Sequence, residues 1–244
     1  MYCFLVRGRI KFDRFGAARG KEAVRFQLPQ HILPMLVIVA ANAHGDETVD
    51  GSFTPLEGVN NVEAPRPNES GGRPFTFQKM LVSQVEASSS LSEKNYVHSP
   101  EMAVDGNTTT AWVEGAKGNG IGEHLILSFT GGIPGGLAIL PGYAYSEKFW
   151  STNNRVSSLT LRRIIRHVQG DEVHDQVVLK MKTVDGVVPF NQWQYFDLGA
   201  ERTDDMGADD INAIMLEISS VDDKNSKYQD TCISEIVLYK RGYL

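Results

Sequence analysis

The chain has 244 residues, 41% of them hydrophobic, and 24 Lys/Arg against 30 Asp/Glu give a net charge of −6. That composition fills a core for one domain plus additional chain, and ordinary glycine and proline contents exclude collagen-like and proline-rich classes. The acidic balance argues against nucleic acid and anionic lipid as partners, because both require clustered cations, and two cysteines cannot build a disulfide framework.

The longest apolar run is Ile32–Ala41. It is too short to span a bilayer, so no stable membrane insertion is expected. It suits the apolar region of a signal peptide. Arg7, Arg9, Lys11, Arg14, Arg19, Lys21 and Arg25 precede it with only Asp13 and Glu22, and Ala41-Asn42-Ala43 supplies an A-x-A cleavage pattern. Residues 1–43 are therefore read as a bacterial-type signal peptide with a long basic n-region, and the product as secreted or periplasmic. Cleavage after Ala43 removes seven cations and two anions, which leaves 201 residues at −11 with Cys232 as the sole thiol. A lone cysteine in an apolar strand reads as a small buried hydrophobe.

Residues 44–79 hold Pro55, Pro65, Pro67 and Pro74, five glycines and no sustained periodicity, the pattern of a disordered linker. From residue 80 onward, short apolar or alternating runs are bounded by Gly, Asn, Asp and Ser. Predicted strands are Leu81–Ala87, His124–Phe129, Gly136–Gly142, Ser157–Ile164, Gln176–Lys182, Trp193–Leu198, Asn212–Ser219 and Ile233–Tyr239. The one helical turn predicted is Ser99–Val104, with Ser99 as N-cap and Pro100 at the first position. Strands without intervening helices predict an all-β domain over 80–244, an antiparallel jelly-roll sandwich.

Four segments carry chemistry. Asp105-Gly106-Asn107 through Thr110 and Trp112 gathers oxygen donors in a tight turn, which suits a hard cation such as calcium provided a distant carboxylate completes the shell. The alternative is a plain turn with Trp112 plugging the core. Gly118-x-Gly120-x-Gly122, within Trp112–Glu123, lacks the following helix of a dinucleotide site; a strand follows instead. Its glycines are read as backbone freedom, and no organic cofactor is implied. The segment from Pro141 to Arg155 carries Tyr143, Tyr145, Lys148, Phe149, Trp150 and Arg155, an aromatic loop with donors of the kind that sugars need. Alternatively, Tyr143 and Trp150 pack beneath the loop and Arg155 forms a structural ion pair. In the last segment, Asp230–Tyr239, Glu235 stands between isoleucines and is a candidate distant cation ligand.

Together these segments resemble the coagulation-factor type C, or discoidin-like, fold. The closer resemblance is to the NAD glycohydrolase translocation domain, an NADase-type glycan-binding branch. It rests on Asp105-Gly106 through Trp112, on Trp-Val-Glu-Gly with Gly-Ile-Gly-Glu over 112–123, on Gly142-Tyr143 with Asn154-Arg155, and on the closing Asp230–Ile236. The resemblance implies an eight-stranded jelly roll with ligand-binding loops at one end. It also implies a structural Ca2+ held by Asp105, Asn107, Thr110 and Glu235, and ligand contacts from Phe149, Trp150 and Arg155, to which the aromatic loop itself adds Tyr145. In the toxin that names the family the domain precedes a separate catalytic domain, so the name brings no activity to this one.

The expected function is a non-catalytic, exported carbohydrate-binding module. The alternative is a cell-surface protein-interaction or toxin-translocation adaptor, so the partner is a glycan or a surface protein. An enzyme is disfavoured. Asp204, Asp205, Asp209, Asp210, Asp222 and Asp223 read as a solvated surface, and His98, His124, His167 and His174 lack metal spacing.

Overall fold

The computed structural model describes residues 2–6, 9–13, 47–53, 75–167, 170–198 and 212–243. Its contacts divide the chain into two units, Met1–Met35 and Leu36–Leu244. In the first, β1 (Tyr2–Val6) and β2 (Arg9–Asp13) form an antiparallel hairpin, with Tyr2 opposite Asp13 and Val6 opposite Arg9. The apolar run and cleavage pattern of the expected signal peptide lie outside the described residues. Among the described residues, no helix is long and apolar enough to cross a membrane.

The second unit is the β domain. Its strands in chain order are β3 (Glu47–Asp50), β4 (Phe75–Lys79), β5 (Val82–Ala87), β6 (Ser92–Glu93), β7 (Tyr96–Val97), β8 (Trp112–Val113), β9 (His124–Phe129) and β10 (Gly136–Pro141). After the short helix α1 (Glu147–Thr152) come β11 (Asn154–His167), β12 (Gly170–Lys180), β13 (Gln194–Asp197), β14 (Ala213–Asp222) and β15 (Thr231–Tyr243). β9 shows why this sequence makes sheet. Its alternation buries Leu125, Leu127 and Phe129 while the residues between stay partly exposed, as the period-2 pleat requires.

The strands form two layers joined at one corner. One layer runs β13-β10-β15, with β4 and β8 also paired to β15; the other runs β3-β12-β11-β14-β9-β5. The junction is a short parallel pairing of Asn154 and Arg155 with Thr231 and Cys232. The core between the layers includes Trp112, Leu125, Leu127, Ile139, Leu159, Leu216 and Leu238. At roughly 1.5–3 kcal/mol per buried large aliphatic or aromatic side chain, this core is the main source of stability. Cys232 is fully buried, and burial pushes its thiol pKa well up, in keeping with a packing role.

All eight predicted strands are present, with shifted ends. β11 and β12 are longer than expected because they carry charges that mask alternation. Arg162 pairs with Glu217 at 2.8 Å, and Arg166 pairs with Glu86 at 2.5 Å. The turn after Ser99 is a 3-10 helix, Pro100–Ala103. Two expectations need correction. The sequence predicts loop where α1 forms; Ser146 caps the helix by accepting from Phe149 N at 3.3 Å. β3 and β4 fall inside 44–79, the span read as disordered linker. β3 runs parallel to β12 and β4 antiparallel to the end of β15, so the domain recruits chain from before residue 80. The rest of that span, 44–46 and 54–74, lies outside the described residues.

Register places the loops. β10 ends with Pro141 opposite Ile233, and β14 ends with Asp222 opposite Arg155. β12 ends with Lys180 opposite Ser158. The connections 142–153, 181–193 and 223–230 therefore leave the sandwich at the same end.

Candidate functional site

Tyr143 follows the end of β10, Tyr145 precedes α1, and Phe149 projects from α1. Their rings converge: Tyr143 to Phe149 at 5.3 Å, Tyr145 to Phe149 at 5.4 Å, and Tyr143 to Tyr145 at 6.3 Å. The β6–β7 hairpin extends the cluster, with Tyr96 4.8 Å from His98, and His98 5.7 Å from Tyr143. His98 is buried, whereas Tyr145 is 58% exposed and Tyr96 and Phe149 are each 43% exposed. An exposed cluster of large rings departs from the isolated apolar residues that are the norm on a monomer surface, which makes it a candidate contact surface. The aromatic loop was legible in sequence. Tyr96 and His98 were not, since their contribution depends on a hairpin folding back from elsewhere in the chain.

Of the expected contact residues, Arg155 has another role and Trp150 is stacked over it. Arg155 is fully buried. Its Nε donates to Asp222 Oδ2 at 3.3 Å, and its Nη1 donates to the carbonyls of Trp150 at 3.2 Å and Asn153 at 3.1 Å. Its Nη2 donates to the Lys224 carbonyl at 2.8 Å and pairs with Asp222 Oδ1 at 3.0 Å. A guanidinium has five N–H groups, and all are used within the protein. The expected role of Arg155 as a sugar donor is therefore replaced by the structural ion pair, because burial at the layer junction demands full pairing. Trp150 is half-buried over Arg155, 4.6 Å from guanidinium carbon to ring centroid, and its Nε1 is buried without a partner. Gly142 makes this stack fit. A Cβ there would lie 2.7 Å from both Arg155 Cγ and Trp150 Cδ1, and the φ of 81° is closed to most side chains.

The Asp-Gly loop is tied together internally. Asp105 Oδ1 accepts from Asn107 N at 2.7 Å, and Asp105 Oδ2 accepts from Thr110 Oγ1 at 2.8 Å. Asn107 Oδ1 accepts from Thr109 Oγ1 at 2.7 Å, and the Asn107 carbonyl accepts from Thr110 Oγ1 at 2.7 Å. Glu235 reaches this loop from β15. It is 3% exposed, and its Oε2 is buried with no hydrogen-bond partner. Burial first, then the negative charge of Asp105, push its pKa up to about 7. Of the four expected cation ligands, Asp105 and Glu235 thus lie close enough for their charges to repel, while the side chains of Asn107 and Thr110 are engaged in holding the turn. A buried carboxylate oxygen without a donor is the feature that a divalent cation would correct.

The Trp112–Glu123 segment is a fastening. Glu114 is fully buried; its carboxylate accepts from Ala116 N at 2.7 Å and from Thr231 N at 3.3 Å, and burial raises its pKa. Thr231 Oγ1 returns a bond to the Asn119 carbonyl at 2.7 Å. Gly120 has a φ of 72°, and a Cβ there would sit 2.6 Å from Glu114 Cγ, so glycine is required for the loop to close over the carboxylate. Glu123 Oε2 accepts from Ser88 Oγ at 2.6 Å and also from Ser89 Oγ. The residues that look most motif-like therefore bind the first half of the domain to β15. Among the acids flanking β14, Asp222 is buried in the ion pair and Asp223 is exposed; Asp204, Asp205, Asp209 and Asp210 lie outside the described residues, as do the side chains of His167 and His174.

No curated protein matches the chain. Among solved structures, the chain is similar to the CBM32-1 and CBM32-2 domains of Clostridium perfringens ZmpB in complex with GalNAc, at 9% identity and a TM-score of 0.50. That match covers 82% of this chain but only 41% of the other, and it concerns the fold. The F5/8 type C domain of a Bacteroides fragilis protein is matched at 13% identity and a TM-score of 0.44, over 67% of this chain and 96% of that one. The family 32 carbohydrate-binding module of Clostridium perfringens NanJ, in complex with galactose, is matched at 12% identity and a TM-score of 0.39, over 67% of this chain and all of its own length. The family model described as NAD glycohydrolase translocation F5/8 type C domain matches residues 76–239, well over half the chain, and the protein belongs to that family.

Proposed function

We propose that this domain is a non-catalytic glycan-binding module, exported by way of residues 1–43, that meets its ligand through Tyr96, Tyr145 and Phe149. The observation that carries this reading is the convergence of rings from the β6–β7 hairpin, the segment after β10 and α1 into one exposed cluster. The C–H face of a sugar ring complements the negative face of an aromatic ring, and neighbouring backbone and side-chain groups serve its hydroxyls. The GalNAc complex of the similar ZmpB domains supports the same ligand class. A shallow face of this kind binds in the range of about micromolar to millimolar.

Calcium belongs to the same reading as a structural ion. Asp105 and Glu235 would hold it, with oxygens of Asn107 and Thr110 completing the shell. The ion would neutralise the two carboxylates and tie the Asp-Gly loop to β15. The orphaned Glu235 Oε2 supports this assignment.

The test is a glycan array probed with the full chain and with a Tyr145→Ala/Phe149→Ala variant, each with and without a chelator. The wild-type protein should retain a defined glycan set, and the variant should lose about tenfold or more in apparent affinity. An unchanged pattern in the variant rules out this face. Retention of a defined surface protein, with no glycan retained, would favour the adaptor reading.

A further inference from the structure

α1 serves two ring pairs. Phe149 joins Tyr143 and Tyr145, as described above. Its neighbour Trp150 meets the ring of Phe190 at 5.8 Å. Successive helical residues point about 100° apart, so the two pairs flank the helix. By helical spacing, the stripe between them belongs to the cap residues Ser146 and Asn153, both polar. Phe190 is 37% exposed.

The Phe190 loop is fixed to the same centre. Val188, buried in the core, donates its N–H to Asp222 Oδ2 at 2.9 Å, the oxygen that also accepts from Arg155 Nε. Arg155 in turn holds the carbonyls of Trp150, Asn153 and Lys224. One buried ion pair therefore sets α1, the loop 181–193 and the loop 223–230 in a single arrangement. Exposed rings held this way need little ordering when a ligand arrives.

We propose that Phe190 and Trp150 form a second aromatic subsite beside Tyr145 and Phe149, and that the ligand is an oligosaccharide reaching both. The inference rests on the glycan-binding reading above. Two ring patches separated by a polar stripe match a chain of sugar rings, each with an apolar face and a hydroxyl rim.

The experiment uses an array printed with mono- to tetrasaccharide ladders of hexose, N-acetylhexosamine and hexuronic acid units. It is probed with the full chain and with Phe190→Ala, Phe190→Tyr and Phe149→Ala, after thermal melting confirms that each is folded. Wild-type affinity should rise about tenfold from monosaccharide to trisaccharide in the recognised series, the equivalent of one ring contact. Phe190→Ala should remove that rise and leave monosaccharide binding unchanged, Phe190→Tyr should keep it, and Phe149→Ala should weaken every length. Length-independent binding, or a Phe190→Ala variant that matches wild type on the longest sugars, overturns the second subsite and leaves glycan binding standing. Binding to none of the ladders overturns both.

Discussion

Arg155 on β11 and Glu235 on β15 are both buried ionisable residues, and they stand in contrasting states. Every N–H of Arg155 has an acceptor, whereas Glu235 Oε2 has no donor and the carboxyl feels the negative charge of Asp105. The difference separates structure from ligation. A saturated buried charge has nothing left to offer a ligand, and its pairing geometry locks the loops around it. An unsaturated one carries a cost that a cation would remove.

The largest expected effect breaks the saturated side. Arg155→Ala leaves Asp222 buried and unpaired and should cost about 3–5 kcal/mol in denaturant unfolding, with lost glycan binding following from displaced loops. A loss under about 1 kcal/mol would mean that the ion pair is not the organising centre.

The unsaturated side gives a pH signature in chelated protein. The Glu235 carboxyl, pushed from its ordinary 4.5 up to about 7 in the folded protein, binds an extra proton in the native state between those values. The resulting stability is fully present below about 4.5 and is lost as pH rises through about 7, amounting to roughly 3 kcal/mol at most. Glu235→Gln should flatten the profile. Calcium at about one hundred times its dissociation constant should restore about 2.7 kcal/mol above pH 7, read as a rise in melting temperature; an unchanged melting temperature at millimolar calcium would contradict the ion assignment.

Gly120→Ala sharpens the role of the Glu114 fastening. Left-handed backbone strain and the clash with Glu114 should cost about 1–3 kcal/mol by thermal melting, with glycan contacts spared. Smallest is Tyr145→Ala, which should change stability by less than about 1 kcal/mol because the ring is 58% exposed while weakening glycan retention.

Much of the fold was legible because alternation survives in strands such as β9, where one face is core and the other is wet. It failed in β3 and β4, which lack a strong pattern of their own and become strands by pairing with β12 and β15. It was blurred in β11, where Arg162 and Arg166 interrupt the apolar pattern and pair with acids on β14 and β5. The aromatic loop was legible as a candidate site, and so was the choice at Arg155 between a sugar contact and an ion pair. Sequence spacing cannot make that choice, because Asp222 lies on another strand and reaches Arg155 through the β11–β14 register.

The linear sequence by itself determined the class of the domain, the all-β pattern and the oxygen-rich, glycine-bearing and aromatic segments, since these depend on local periodicity and turn chemistry. Tertiary structure decided which of those residues remain available. Burial at the layer junction consumed Arg155 in pairing, closure of β15 against the first half of the domain turned Glu114 and Gly120 into a fastening, and loop convergence left Tyr96, Tyr145, Phe149 and Phe190 facing solvent. Availability is a property of packing, because a charged or aromatic group acts on a ligand only through the hydrogen-bonding capacity and surface that the fold leaves unspent.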